Sequence, residues 1–230
     1  MANQAIEHRS QPVPETGVAE LGLFGKPLFE DPRARALARV GVVDVGSNSV
    51  RLVVFDGAAR SPAYFYNEKI MCALGAGMAE TGHLSPQGRR RALSAMRRFK
   101  KLADGMGLTE LTVVATAAVR DASDGRDFCD EVRRDTGLRI WVIDGKEEAR
   151  LSAQGVLLGW PGAYGLVCDI GGSSMELAEI SGGRVGRRVT SQLGPLKLRD
   201  LKGGRKGRDA HIKEVMQGLN TRMGLQRDRL

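Results

Sequence analysis

The chain predicts a mixed α/β fold in two lobes. Three observations carry that expectation. Short β-branched runs are joined by Gly-rich turns, strand-like runs alternate with helical periodicity, and one strand–turn–strand pattern occurs twice. The first copy reads Val42-Val43-Asp44-Val45-Gly46-Ser47-Asn48-Ser49-Val50-Arg51-Leu52, and the second reads Val167-Cys168-Asp169-Ile170-Gly171-Gly172-Ser173-Ser174-Met175-Glu176-Leu177. In register, Asp44 matches Asp169, Gly46 matches Gly171, Ser49 matches Ser174 and Leu52 matches Leu177, at a constant offset of 125 residues. One Gly/Ser turn between strands is ordinarily a plain hairpin. A repeat of Asp-x-Gly-x-x-Ser-x-x-Leu with the same flanks is far more specific, and at this separation it suggests two lobes closing on one phosphate-bearing ligand.

The elements follow in order. Residues 1–36 hold four of the eight prolines and no sustained periodicity, and read as a flexible leader. Residues 39–45 and 50–56 are apolar and β-branched, which predicts a hairpin, with a third strand near 63–66. Ser85-Pro86 opens a helix with a cap and a first-turn proline. Leu93, Met96, Phe99 and Leu102-Ala103 form its buried stripe, and Gly105 or Gly107 ends it. A strand over 111–115 runs into Thr116-Ala117-Ala118-Val119-Arg120-Asp121; a short helix follows over 124–135, then a strand over 139–143. The next helix, after Asp144, buries Ala149, Ala153, Val156-Leu157 and Trp160 by their spacing. Beyond the second copy of the repeat, strands over 175–180 and 184–189 flank the turn Ser181-Gly182-Gly183. The first lobe is expected over 37–150 and the second from 151 to 230. Because the last 30 or so residues are Gly-rich and basic with one weak helical stretch, over 210–219, the second lobe is expected to be incomplete.

Composition narrows the function classes. No apolar run approaches the roughly 20 residues that span a bilayer, and the polar first 20 residues make no secretory signal. Cys72, Cys129 and Cys168 are scattered and lack CxxC spacing, so they read as thiols of a reducing cytoplasm. The net charge of +8 is unevenly placed: residues 197–230 hold 10 Lys/Arg against 4 Asp/Glu, leaving 25 against 23 elsewhere. The basic end has no interleaved aromatics to stack bases, which argues against specific nucleic-acid binding.

The candidate site residues come from the loops. A Gly/Ser turn lets backbone N–H groups and hydroxyls converge on an anion, so Gly46, Ser47, Asn48, Ser49, Gly171, Gly172, Ser173 and Ser174 are phosphate donors or plain turn residues. Asp44 and Asp169 can hold a divalent metal, cap their own turns through Asx hydrogen bonds, or do both. Arg120 ends a strand–loop junction where its guanidinium fork suits phosphate oxygens, although Asp121 or Asp124 could also pair it. Glu147 and Glu148 either serve the chemistry or are first-turn helix charges.

Taken together, the two loops, Ala115-Thr116-Ala117-Ala118-Val119-Arg120 and Gly145-Lys146-Glu147-Glu148-Ala149-Arg150 resemble the exopolyphosphatase/guanosine pentaphosphate phosphatase (Ppx/GppA) family, over about residues 40–200. The resemblance implies an actin-like, ribonuclease H-like mixed sheet with flanking helices, in two lobes that close over a phosphate chain. It implies removal of the terminal phosphate of inorganic polyphosphate, or conversion of guanosine pentaphosphate to tetraphosphate. It also implies Glu148 as the base that positions water, Arg120 as a phosphate clamp, and Mg²⁺ held by Asp44, Asp169 and Glu176. Two departures stand out. The family's second loop usually reads Asp-x-Gly-Gly-Gly-Ser-Thr-Glu, whereas Ser173 and Met175 stand here, and the family's second lobe continues past residue 230. Two other functions remain open: a sugar-kinase-like or actin-like ATPase, and a non-catalytic sensor of polyphosphate or guanosine tetra- or pentaphosphate. Homodimerisation is also left open.

Overall fold

The computed structural model describes residues 39–55, 64–108 and 111–224. The expected leader lies outside them, as do residues 225–230. Two sheets carry the fold. The first has the order β3-β2-β1-β4-β5, built from β1 (Val40–Val45), β2 (Ser49–Phe55), β3 (Tyr64–Met71), β4 (Leu111–Ala115) and β5 (Ile140–Val142). The strands β1, β2 and β3 are antiparallel neighbours, whereas β4 joins β1, and β5 joins β4, in parallel. The alternation in β2 explains its place: Val50, Leu52 and Val54 are wholly buried while the residues between them are half-exposed.

Helix α2 (Pro86–Gly105) packs on this sheet, after the short α1 (Met78–Thr81). Its start is as expected, with Pro86 in the first turn and the Ser85 hydroxyl accepting from the Gly88 N–H at 3.2 Å. Met96, Phe99 and Ala103 are buried, but Leu93 and Leu102 are only partly so. The tightest line runs instead through Gly88, Ala92 and Ala95. A side chain at position 88 would lie 2.7 Å from the Leu74 Cα, so only the smallest residue lets the helix approach. Phe128 and Val132 on α4 (Gly125–Thr136) close the same core, with α3 (Ala117–Asp121) leading into it.

The second sheet has the order β6-β7-β8, from β6 (Gly165–Ile170), β7 (Met175–Ser181) and β8 (Arg184–Ser191), all antiparallel. Gly182 and Gly183 both take positive φ, as a two-residue hairpin turn requires. Helix α5 (Gly145–Gly159) covers one face through Ala149, Ala153 and Leu157, which meet Ala178 and Ile180. A lobe boundary at 150 therefore falls inside α5, which belongs by its contacts with the second sheet. Trp160 was expected to be buried but is 69% exposed, and Val156 is exposed too. Their helical face is the expected one, but the core under α5 ends with Leu157 and Ala163.

The basic end departs further from expectation. After α6 (Pro195–Asp200), α7 (Gly204–Met223) runs for 20 residues, longer than the stretch its weak periodicity predicts. It is also no frayed end, because Leu219 and Met223 are buried against Met175, Leu177, Val189 and Leu193. Among the described residues no helix is long and apolar enough to cross a membrane.

Candidate active site

The two copies of the repeat fold alike and face each other. In the first, the Gly46 N–H donates to the Ser49 carbonyl at 3.0 Å; in the second, the Gly171 N–H donates to the Ser174 carbonyl at the same distance. The loops then touch across the lobes, where the buried hydroxyls of Ser47 and Ser173 hydrogen-bond each other. Gly172 makes this approach possible, since a Cβ there would sit 3.2 Å from the Ser47 Cβ. Ala73 is the one described non-glycine residue with positive φ, so Ser173 replaces the usual glycine without backbone strain. Asn48 is exposed, and its carbonyl accepts from the N–H groups of Cys72 and Ala73 at 2.9 and 2.8 Å, which pins the first loop to the end of β3.

The strand pairing beneath the loops differs in charge. Asp44 stands opposite Arg51 between β1 and β2, whereas Asp169 stands opposite Glu176 between β6 and β7. Like charges directly opposite are unfavourable in a sheet unless something else compensates them. Glu176 is buried. Its Oε1 accepts from the Thr190 hydroxyl at 2.8 Å, and its Oε2 has no hydrogen-bond partner. Burial raises the Glu176 carboxyl above its ordinary range, with Asp169 adding to the effect. Asp44 reaches solvent at the cleft, yet the surrounding protein and then the facing Asp169 carboxylate raise it as well. Asp169 is exposed and accepts from the Ser152 hydroxyl.

Helix α5 brings Glu148 to this cluster. The Asp144 carboxylate accepts from the Glu147 N–H at 2.8 Å and caps the helix. Gly145 lets the first turn close on β8, because a side chain there would lie 2.5 Å from the Thr190 side chain. The two glutamates then separate in role. Glu147 is held at 2.6 and 2.8 Å by the buried guanidinium of Arg150, which also reaches Gln154. Glu148 instead sits 3.4 Å from the Arg120 Nη1, with 14% of its side chain exposed. Burial, and then the neighbouring Glu176, push its carboxyl up to about 7, against the opposing pull of Arg120. Arg120 ends α3 and also donates to the Ile143 carbonyl and to Asp121, both at 3.1 Å. The pairing with Asp121 that its sequence position suggested thus coexists with the contact to Glu148.

Asp44, Asp169, Glu148 and Glu176 therefore lie within electrostatic reach of one another, with Arg120 beside Glu148. An orphaned buried carboxylate oxygen beside further carboxylates suits a hard cation that takes oxygen ligands. Among the described residues no three His, Cys, Asp or Glu side chains are close enough to form a ligand set by themselves. Mg²⁺ commonly keeps waters and takes substrate oxygens, so such a loose set still fits it.

Sequence reasoning missed several neighbours. Lys197, Gln192 and Gly75 line a cleft of about 220 Å³ together with Ser173, Asp121 and Leu196. Lys197 counted only as the start of the basic end, and Gly194-Pro195 just before it was the single hint of a helix start.

Comparison with known proteins agrees with this geometry. The family model described as the Ppx/GppA phosphatase family matches residues 53–202. Exopolyphosphatase 1 of Mycobacterium tuberculosis H37Rv is 35% identical over 143 residues, covering 61% of this chain and 42% of that protein. The chain thus spans about two fifths of the length of such curated relatives. Among solved structures, an exopolyphosphatase from Cytophaga hutchinsonii aligns with TM-score 0.66 and 29% identity, over 70% of this chain and 53% of that one. The Ppx/GppA enzyme of Aquifex aeolicus aligns with TM-score 0.67 and 26% identity, over 81% and 63%. With the family model matching residues 53–202, well over half of its length, the chain belongs to the Ppx/GppA phosphatase family.

Proposed function

We propose that this site hydrolyses the terminal phosphoric anhydride bond of inorganic polyphosphate. The observation that carries the reading is the placement of Glu148, largely buried 3.4 Å from the Arg120 Nη1, where burial and the neighbouring Glu176 push its carboxyl up to about 7. A base matched to neutral pH is what water activation needs. Loop N–H groups and hydroxyls of Ser47, Asn48, Ser49, Gly172, Ser173 and Ser174 receive the phosphate oxygens, while the Gly46 and Gly171 N–H groups close the two turns. Arg120 clamps the terminal phosphoryl group. Water hydrogen-bonded to Glu148 attacks phosphorus, its proton passes to the Glu148 carboxylate, and the bond to the bridging oxygen breaks. The shortened chain leaves with that oxygen. Mg²⁺ held through Asp44, Asp169 and Glu176 would neutralise the crowded phosphate charge.

The relatives described as exopolyphosphatases favour polyphosphate as substrate. Guanosine pentaphosphate carries the same terminal bond and is the second substrate to compare. Free phosphate is expected from long polyphosphate with Mg²⁺ and no acceptor, and little in the presence of a chelator. Phosphate transfer that requires an acceptor would favour the sugar-kinase-like ATPase instead, and binding without turnover would favour a sensor.

A further inference from the structure

Among the described residues that line the cleft of about 220 Å³, Lys197 is the cation that the second lobe contributes. Its position is built, not incidental. The Leu196 N–H donates to the Gly172 carbonyl at 2.9 Å, which ties the first turn of α6 to the second phosphate loop. Gly194 makes this possible, because a side chain there would run into the backbone of Ser173 and Gly172. The next residue, Lys197, crosses towards the first lobe, where its Nζ lies 3.9 Å from the Asp121 Oδ2. Asp121 also accepts from the Arg120 Nε at 3.1 Å. Two cations from opposite lobes thus share one carboxylate, and Lys197 and Asp121 line a pocket with Ser173, Gln192 and Asp200. At 3.9 Å the lysine contact is a loose ion pair, and the Lys197 side chain is 24% exposed. Removal from water lowers its pKa; Asp121 pulls the other way, and Arg120 adds a smaller lowering.

We propose that Lys197 is a phosphate-binding residue that, with Arg120, grips the polyphosphate chain from the two sides of the cleft. This rests on the hydrolase reading of the same site and adds a residue to it. A phosphate chain supplies several oxyanions where Asp121 supplies one group, so it can meet both cations at once. Because α6 is fixed to the second loop, the grip also couples chain binding to the placement of that loop.

The test compares Lys197→Met and Lys197→Arg with Lys213→Met, which removes the same charge from an exposed position on α7. Two readouts are taken on chains with unchanged melting temperature: equilibrium binding of inorganic tripolyphosphate, and phosphate release from polyphosphate. Lys197→Met should weaken tripolyphosphate binding roughly ten- to a hundredfold, the range for a lost hydrogen bond to a charged group, and raise KM far more than it lowers kcat. Lys197→Arg should keep most of the binding, and Lys213→Met should leave it unchanged. Equal binding by Lys197→Met and Lys213→Met overturns the inference. Lys197-dependent binding without phosphate release sinks the hydrolase reading alone. No tripolyphosphate binding by the parent chain overturns both.

Discussion

In the first copy of the repeated motif, β1 lies between β2 and β4, and Val43 and Val45 are wholly buried. In the second, among the described residues, β6 pairs with β7 alone; the residues at the equivalent positions, Cys168 and Ile170, are exposed, the latter by 62%. The turn itself does not register the difference, since the Gly46 and Gly171 bonds match in partner and length. Local sequence therefore suffices to shape the loop, and neighbouring strands decide how firmly it is held. The chemistry differs as well. Arg51 stands opposite Asp44 across the first hairpin and opposes the rise of its carboxyl, whereas Glu176 stands opposite Asp169 across the second. The better-packed copy is the electrostatically quieter one, and the less supported copy carries the carboxylates that confront Glu148.

The largest effect expected concerns that confrontation. Glu148→Gln should lower turnover on the order of 10²–10⁴-fold while substrate still binds, the range typical for losing a general base. Glu147→Gln should act mainly on stability, because Glu147 is engaged by Arg150. Single-turnover phosphate release with both variants checks this, and an equal loss in the two would show that their roles are not separated. Next in size is the difference in support. Amides of β6 should exchange with solvent on the order of 10²-fold faster than those of β1, since an edge strand opens with fewer contacts broken. Equal protection of the two strands would break the comparison.

A pH effect follows from the second copy. With divalent cations chelated, the folded Glu148 carboxyl lies at about 7 against 4.5 as its ordinary value. Its contribution to stability is therefore complete below about pH 4.5 and is lost as pH rises through about 7. Glu148→Gln should stabilise the chain relative to the parent at pH 8, on the order of 1–3 kcal/mol, and have little effect at pH 4. Mg²⁺ should shrink the difference. Urea unfolding at the two pH values reads both.

Much of this was legible in the sequence, for identifiable reasons. The period-2 runs of β1 and β2, the Ser85-Pro86 start of α2 and the Gly182-Gly183 turn depend on local chemistry, and each stands where its residues predicted. The two loop turns were legible because the repeat carried them, and Glu148 was singled out by the resemblance to the family. What escaped was set by distant partners. Leu93 yields the closest packing line to Ala92 and Ala95 because Gly88 fixes the helix height against Leu74. Trp160 lies exposed because the core beneath its helix stops short, and α7 was undervalued because only Leu219 and Met223 of it are buried. Lys197 escaped because its role depends on a hydrogen bond from Leu196 to Gly172, 24 positions earlier.

The smallest effect tests whether the two copies act as one unit. Ser173 stands where the family's loop usually has glycine, and its hydroxyl meets that of Ser47 in a buried contact between lobes. Its backbone does not need glycine's freedom, so Ser173→Gly brings no relief of strain and loosens the unfolded chain further. Losing the hydrogen bond and adding that entropy should cost about 1–2 kcal/mol in total. Ser173→Ala isolates the hydroxyl and should cost about 1 kcal/mol, with Ser47→Ala costing a similar amount. Because each removes the same bond, the double variant should cost clearly less than the two single losses added together. Unfolding of the four chains in urea measures that coupling. Strict additivity would mean that the hydroxyls meet without holding the loops to each other, and the two copies would then be neighbours whose alignment depends on bound phosphate alone.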